Sequence, residues 1–172
     1  MEKQIKTYKE ILGAVKILKD SVKIKYLDKQ CTGLAPDIFK ICEDLDIKVY
    51  SGELGDGFEV AVWRDEETGT LKISIDENCI DKGRYLAAKA LGAGLLGFAD
   101  DGIIGFKKMD DRYNPASISS DIFATALLMD EDRVKDYLYE GQGNVERLSR
   151  LFEVPLSCAA KRLVYLDKTR WL

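Results

Sequence analysis

The feature that most constrains this chain is a double change in the spacing of its apolar residues. Over residues 4–19 (QIKTYKEILGAVKILK), Ile5, Tyr8, Ile11, Leu12, Val15 and Leu18 recur at intervals of three and four. That spacing predicts a helix with one apolar stripe and lysines on the opposite face. A second helix is expected over 35–45, with Pro36 in its first turn and Ile38, Ile41, Cys42 and Leu45 as the stripe. The period then falls to two in Ile47-Lys48-Val49-Tyr50, Phe58-Glu59-Val60-Ala61-Val62-Trp63 and Leu71-Lys72-Ile73-Ser74-Ile75. The turn-forming stretches SGELGDG and RDEETG separate these runs, which predicts a small antiparallel meander.

Residues 82–98 (KGRYLAAKALGAGLLGF) return to helical spacing, with Tyr85, Ala88, Leu91, Gly92, Leu95 and Leu96 on one face. Each glycine inside such a helix costs about 1 kcal/mol relative to alanine, so these glycines call for a packing reason. The segment ADDGIIGFKKMDDRYNP reads as a loop, and further helices are expected at about 117–129, 131–140, 144–152 and 157–166. Asn144 and Ser157 are the candidate caps of the last two, and Pro155 separates them. With no internal repeat, low-complexity tract or linker, the expectation is one α+β domain over residues 1–172.

Composition narrows what such a domain does. Hydrophobic residues make up 46% of the chain and charged residues 33%, enough for a core and a polar surface, which excludes wholesale disorder. A net charge of −4 argues against direct nucleic-acid binding. The basic residues cluster at the two ends around an acidic middle, a pattern read first as solvated surface. The basic N-terminal helix can dock on a partner, but its apolar stripe is expected to pack on the domain itself. Cys31, Cys42, Cys79 and Cys158 lack C-x-x-C spacing and the chain has no histidine, so neither a structural zinc site nor a disulfide framework is expected. Residues 1–9 lack an apolar signal-peptide core, and no run approaches the ~20 apolar residues of a membrane span. Together these predict a cytoplasmic protein with reduced thiols.

Several motifs carry a resemblance. The run RYLAAKALGAGLLG at 84–97 resembles the metal helix of the ImmA/IrrE family of zinc-dependent peptidases, R-F-x-x-A-H-E-x-G-H-x-L-L-H. The strand and loop LKISIDEN at 71–78 looks like the segment before that helix, and FATALLMD at 123–130 is similar to the family's F-A-A-E-L-L-M-P. The ending LSRLFEVP at 148–155, followed by Arg162, Leu163 and Leu166, resembles its closing L-A-x-x-F-x-V-S…R-L-x-x-L. The likeness covers roughly residues 35–166. It implies a minimal zincin-like fold: a short antiparallel sheet packed on the altered metal helix, followed by several C-terminal helices.

The resemblance also implies a loss. A zincin needs H-E-x-x-H because residues four apart share a helix face, bringing both imidazoles to one zinc while the adjacent Glu serves as general base. Here the corresponding positions are Lys89, Ala90 and Ala93, and the family's further acidic ligand falls at Ser119, in place of the Glu of an E-A-N motif. A lysine ammonium offers three donors and no acceptor, and alanine offers no ligand atom. The resemblance therefore implies no metal, no cofactor and a non-catalytic pseudopeptidase that binds a protein or peptide. The family's setting points to regulation in a phage or mobile element, with a helix-turn-helix repressor as one possible partner.

Lys89 faces solvent, fills the vacated pocket as a fixed positive charge, or forms a charge pair with Asp121 across that pocket, which Tyr85 also borders. Ser119 or Ser120 with Lys89 would be a Ser–Lys arrangement, a nucleophile–base pair open to a chain without histidine. Cys158 near a helix start is read as a buried structural thiol rather than a reactive one. The helices around Val154 and Pro155, faintly like a helix-turn-helix, are assigned a structural role. An enzyme of different chemistry in the reworked cleft, and a purely structural or oligomeric module, remain the other classes.

Overall fold

The computed structural model describes residues 4–27, 34–107, 114–139 and 144–169. Cys31 and residues 108–113 of the expected loop lie outside the described residues.

Helix α1 (Tyr8–Ser21) opens on a capping box, in which the Thr7 hydroxyl accepts from the Glu10 amide and the Glu10 carboxylate accepts from the Thr7 amide. It buries Ile11, Val15 and Leu18, whereas Ile5 precedes the helix and is exposed. A short antiparallel pair, β1 (Tyr26–Leu27) and β2 (Ala35–Pro36), follows. Pro36 therefore belongs to a strand and not to the first turn of the next helix. A proline disfavours helical backbone at the residue before it, which holds Ala35 extended, and Asp37 caps α2 (Ile38–Asp44) by accepting from the Lys40 amide.

The main sheet comprises β3 (Lys48–Gly52), β4 (Phe58–Arg64), β5 (Leu71–Asp76) and β6 (Ile104–Lys107), in the spatial order β3-β5-β4-β6. This corrects the antiparallel meander in two ways. First, β3 pairs in parallel with β5, so the sheet is mixed. The seven residues between Tyr50 and Phe58 are too many for a tight hairpin, and they cross the end of β5, where the Asp76 carboxylate accepts from the Leu54 amide at 2.9 Å. Second, part of the expected loop is strand: β6 pairs antiparallel with β4 and buries Phe106. Only β4 and β5 form the hairpin that the sequence pattern predicts.

A 3-10 segment (Glu77–Lys82) leads into α3 (Gly83–Leu95). Sequence periodicity gave this helix one apolar face, but it is buried on nearly all sides from Gly83 to Gly94. It lies between the sheet and α4 (Pro115–Leu128), and this double packing explains its small residues. A Cβ at Gly92 would stand 2.7 Å from the Phe123 ring on α4, and one at Gly94 would stand 2.5 Å from a Leu71 methyl on β5. The helix ends in a Schellman motif. Gly97 adopts φ 81°, its amide donates to the Gly94 carbonyl, and the Phe98 amide donates to the Ala93 carbonyl.

Helix α4 begins at Pro115 with Asn114 as its cap and is buried along almost its whole length. Helices α1 and α7 (Leu156–Thr169) cover its other side, and α5 (Glu131–Tyr139) and α6 (Val145–Leu151) complete the domain. Asn144 caps α6 as expected, accepting from the Arg147 amide, but α7 starts at Leu156, so Ser157 lies inside its first turn. Arg162, only 2% exposed, ties α7 to the end of α4 through the Met129 carbonyl and to α1 through the Tyr8 hydroxyl. Arg84 ties α3 to the α6–α7 connection by donating to the Phe152 and Glu153 carbonyls, and to β2 through the Pro36 carbonyl. The fold is α+β, and among the described residues no helix is long and apolar enough to cross a membrane.

Candidate functional site

Two helix faces meet at the centre of the molecule. Residues four apart stack on one side of a helix, so Tyr85 and Lys89 form one row on α3, and Ser117 and Asp121 form the facing row on α4. The Lys89 ammonium lies 3.3 Å from Asp121 Oδ1 and donates to Ser117 Oγ at 2.8 Å. It also sits 4.5 Å from the centre of the Phe106 ring on β6. Lys89 and Asp121 are only 7% and 8% exposed, so this is a buried pair and not a surface contact. Lys89 does not point into solvent.

Asp121 has two further partners. The Tyr85 hydroxyl donates to Oδ1, and the Lys161 ammonium, from α7, donates to Oδ2. Lys161 also reaches the Tyr85 oxygen at 3.4 Å. Burial, reinforced by the Asp121 charge, holds the Tyr85 hydroxyl far above the ordinary tyrosine range, so it stays a donor. The same two causes push Tyr165 and the Cys158 thiol up to about 12. Cys158 is therefore an inert buried thiol, its place near a helix start notwithstanding.

The positions that the resemblance assigns to a metal do not fit one. Ala90 and Ala93 are wholly buried and carry no donor atom, and Lys89 is committed to an acid, a hydroxyl and a ring face. Ser119 Oγ accepts from the Lys6 amide at 3.1 Å, which fastens the segment before α1 onto α4. Among the described residues, no three Asp, Glu, Cys or His side chains converge as a ligand set.

The serine that meets Lys89 is Ser117, not Ser119 or Ser120. The row facing Lys89 runs through Ser117, one turn before Asp121, whereas Ser119 and Ser120 point elsewhere and the buried Ser120 Oγ has no hydrogen-bond partner among the described residues. The Ser117–Lys89 contact has the length a Ser–Lys pair needs. Asp121 and the Phe106 ring, however, both attract a cation, and a base must be a neutral amine.

Above this floor lies a pocket of about 470 Å³ bordered by Lys82, Lys107, Ser157 and Lys161 in addition to the buried groups. It adjoins a larger cleft of about 750 Å³, and Lys82, Tyr85 and Pro155 border both. Lys82 is paired with Glu59 on β4 at 3.1 Å, and Lys107 is held 4.5 Å from the Phe58 ring centre.

Sequence reasoning identified Tyr85, Lys89 and Asp121 but missed Ser117, Phe106 and Lys161. Phe106 belongs to a four-residue strand too short to show a period, and Lys161 arrives by tertiary packing of α7. The i, i+4 relation of Ser117 to Asp121 was the one usable signal. Compared with models of known families and with curated protein sequences, the chain matches none.

Proposed function

We propose that this protein is a non-catalytic, peptide- or protein-binding regulatory factor: a pseudopeptidase of the ImmA/IrrE type that acts in the cytoplasm. One observation carries the reading. Lys89, paired with Asp121, occupies the cleft floor at the position where the resemblance puts the first metal ligand, and the cavity that both residues border stays open, beside a larger cleft with which it shares Lys82, Tyr85 and Pro155. The pair joins the two helices that a metal would otherwise bridge, leaving a floor that can be touched but offers no activated water. The free thiols of Cys42, Cys79 and Cys158 are in keeping with a reducing compartment.

A peptide library displayed on phage tests the reading. Selected peptides should bind the purified protein and be recovered intact after prolonged incubation, with or without added zinc, as read by mass spectrometry. Cleavage of a selected peptide would refute the non-catalytic assignment and revive Ser117–Lys89 as a catalytic pair. Failure to enrich any sequence would refute the binding role.

A further inference from the structure

The main sheet has an open side at β3. In the order β3-β5-β4-β6, β3 is an outer strand, held along one flank by its parallel pairing with β5 over Lys48–Gly52. Alternate residues of a strand paired in this way turn their N–H and C=O groups away from the partner. Among the described residues no hydrogen bond reaches β3 from that other flank, which leaves a row of unpaired backbone groups. Lys48, Tyr50 and Ser51 of the strand are exposed.

The 750 Å³ cleft runs along this edge. Successive side chains of a strand point to opposite faces of a sheet, so a cavity bordered by three in succession, Val49, Tyr50 and Ser51, lies against the strand's flank and not over one face. Phe39 of α2 and Ile80 of the 3-10 segment also border it, and both are exposed, Ile80 at 68%. A cleft that joins unpaired backbone to exposed apolar side chains fits an extended chain, whose amides satisfy the first and whose alternate side chains cover the second. It fits a helix less well, because a helix has already paired its backbone groups. A small apolar molecule would cover the strand's polar groups without giving them partners, which is costly.

Charge narrows the occupant. Asp46, two residues before β3, and Glu53, the residue after it, are exposed, and among the described residues neither has an ion-pair partner. Carboxylates thus stand near both ends of the open edge. A second copy of this chain does not supply what they lack. Two β3 edges paired antiparallel about Tyr50, the middle of the strand, would set Glu53 of one copy against Ile47 of the other and Asp46 against Leu54. We infer that β3 accepts an extended segment of a partner protein as an added strand, with an apolar side chain in the cleft at Phe39, Tyr50 and Ile80 and a lysine or arginine near each end, facing Asp46 and Glu53. The inference rests on the peptide-binding reading and deepens it, naming the class of segment and the strand that holds it.

The probes are acetyl-Lys-Thr-Val-Thr-Val-Thr-Val-Lys-amide, its counterpart with glutamate at both ends, and the lysine peptide N-methylated at its six central residues. Each is titrated into the intact chain, with amide chemical shifts reporting the site and hydrogen exchange reporting the backbone bonds. At low salt the lysine peptide should bind about tenfold more tightly than the glutamate peptide, with the gap narrowing as salt is raised. It should also slow exchange at alternate β3 amides. N-methylation should cost about tenfold or more, because it keeps the side chains and removes the donors. Asp46→Asn together with Glu53→Gln should abolish the preference for lysine, and Phe39→Ala should weaken the lysine peptide while leaving that preference; thermal melts confirm that both variants fold. Equal affinity of lysine and glutamate peptides, undiminished binding of the N-methylated peptide, or shifts confined to the pocket over Lys89 would each overturn the inference while leaving peptide binding intact. Exchange at β3 that slows as the protein's own concentration is raised would overturn it in favour of a second copy. So would the absence of binding by the lysine peptide at about 1 mM, whereas the peptide-binding reading itself stands or falls on the library selection.

Discussion

Asp121 is the most informative residue to perturb, because three donors converge on a carboxylate that is 8% exposed. Substituting Asn keeps the shape and one acceptor but removes the charge facing Lys89. At 3.3 Å, and with an effective dielectric of ~20, the Coulomb attraction being lost is about 5 kcal/mol. Breaking a buried pair by removing one partner costs roughly 3–5 kcal/mol when the other charge is left uncompensated. The Asn oxygen still accepts from Tyr85, and Lys161 can move into solvent, which places Asp121→Asn near the lower end, about 3 kcal/mol. For a chain of this length that is a fall in Tm of about 6–12 °C. Lys161→Gln should cost no more than about 1 kcal/mol, because its ammonium is already partly hydrated.

The cycle with Lys89→Met is the decisive control. Removing Lys89 leaves Asp121 paired with Lys161, so that single variant should be milder, and the double variant should cost less than the sum of the singles. Urea unfolding in low and high salt measures all of these, and the buried pair should show little salt dependence. If Asp121→Asn costs under about 1 kcal/mol, or if the double variant is additive, the pair is not the buried bridge described above.

The other predictions concern packing, pH and thiols. Gly92→Ala should destabilise by about 1–3 kcal/mol despite its better helix propensity, because the new methyl meets the ring and Cβ of Phe123 at 2.7–2.9 Å; Gly94→Ala should cost less, since it meets Leu71 methyls that can rotate away, and denaturant midpoints rank the two. Hydrogen bonds from the Leu54 and Asn78 amides hold the Asp76 carboxyl below its ordinary value of 3.8. Its folded form therefore binds fewer protons, so its contribution to stability is present above about pH 4 and is lost as pH falls through the folded value. Asp76→Asn should lower the Tm at pH 7 and flatten the acid limb below about pH 4, read from melts across that range. Burial pushes the thiols of Cys42 and Cys158 up to about 12, so at pH 8 both should resist iodoacetamide until the protein is unfolded, as peptide mapping would show.

Which parts of this fold were legible in the sequence follows from where each element gets its stability. Helix α1 advertises itself because one face is wet: Ile11, Val15 and Leu18 are buried and lysines fill the gaps between them. The β4–β5 hairpin is equally plain, since Val60, Val62, Leu71, Ile73 and Ile75 alternate toward the core. Pairing order is another matter. Nothing in the runs at 48–52 and 71–76 says that they lie side by side in parallel, because that contact is fixed by a crossing loop and by the Asp76 anchor. Helix α3 misleads in the opposite direction. With sheet on one side and α4 on the other, its alanines and glycines are chosen by clearance, and a hydrophobic stripe is the wrong thing to look for. The pairing of Lys89 with Asp121 was reachable because a lysine among small buried residues needs an acid nearby. Its third member, Lys161, was not, because it comes from a helix 40 residues further along the chain.

That third member bears on why the cluster is ionic at all. Where α3 passes α4 at Gly92 the two helices touch with no room for a methyl group, yet around Tyr85 and Lys89 the same helices, with α7, enclose side chains and an open cavity. Apolar side chains of similar volume would fill the buried part of that space at least as well, since replacing a buried ion pair by a well-packed apolar set is often neutral or stabilising. Stability alone therefore gives no reason for a Lys–Asp pair here. It gives even less reason for a second lysine on the same carboxylate, because one cation already neutralises Asp121. The second lysine lies on the cavity side, where the Lys161 side chain is 41% exposed. A floor built only to join two helices would be closed. This one is open and presents a half-exposed lysine to the cavity, where a molecule entering from outside would meet it.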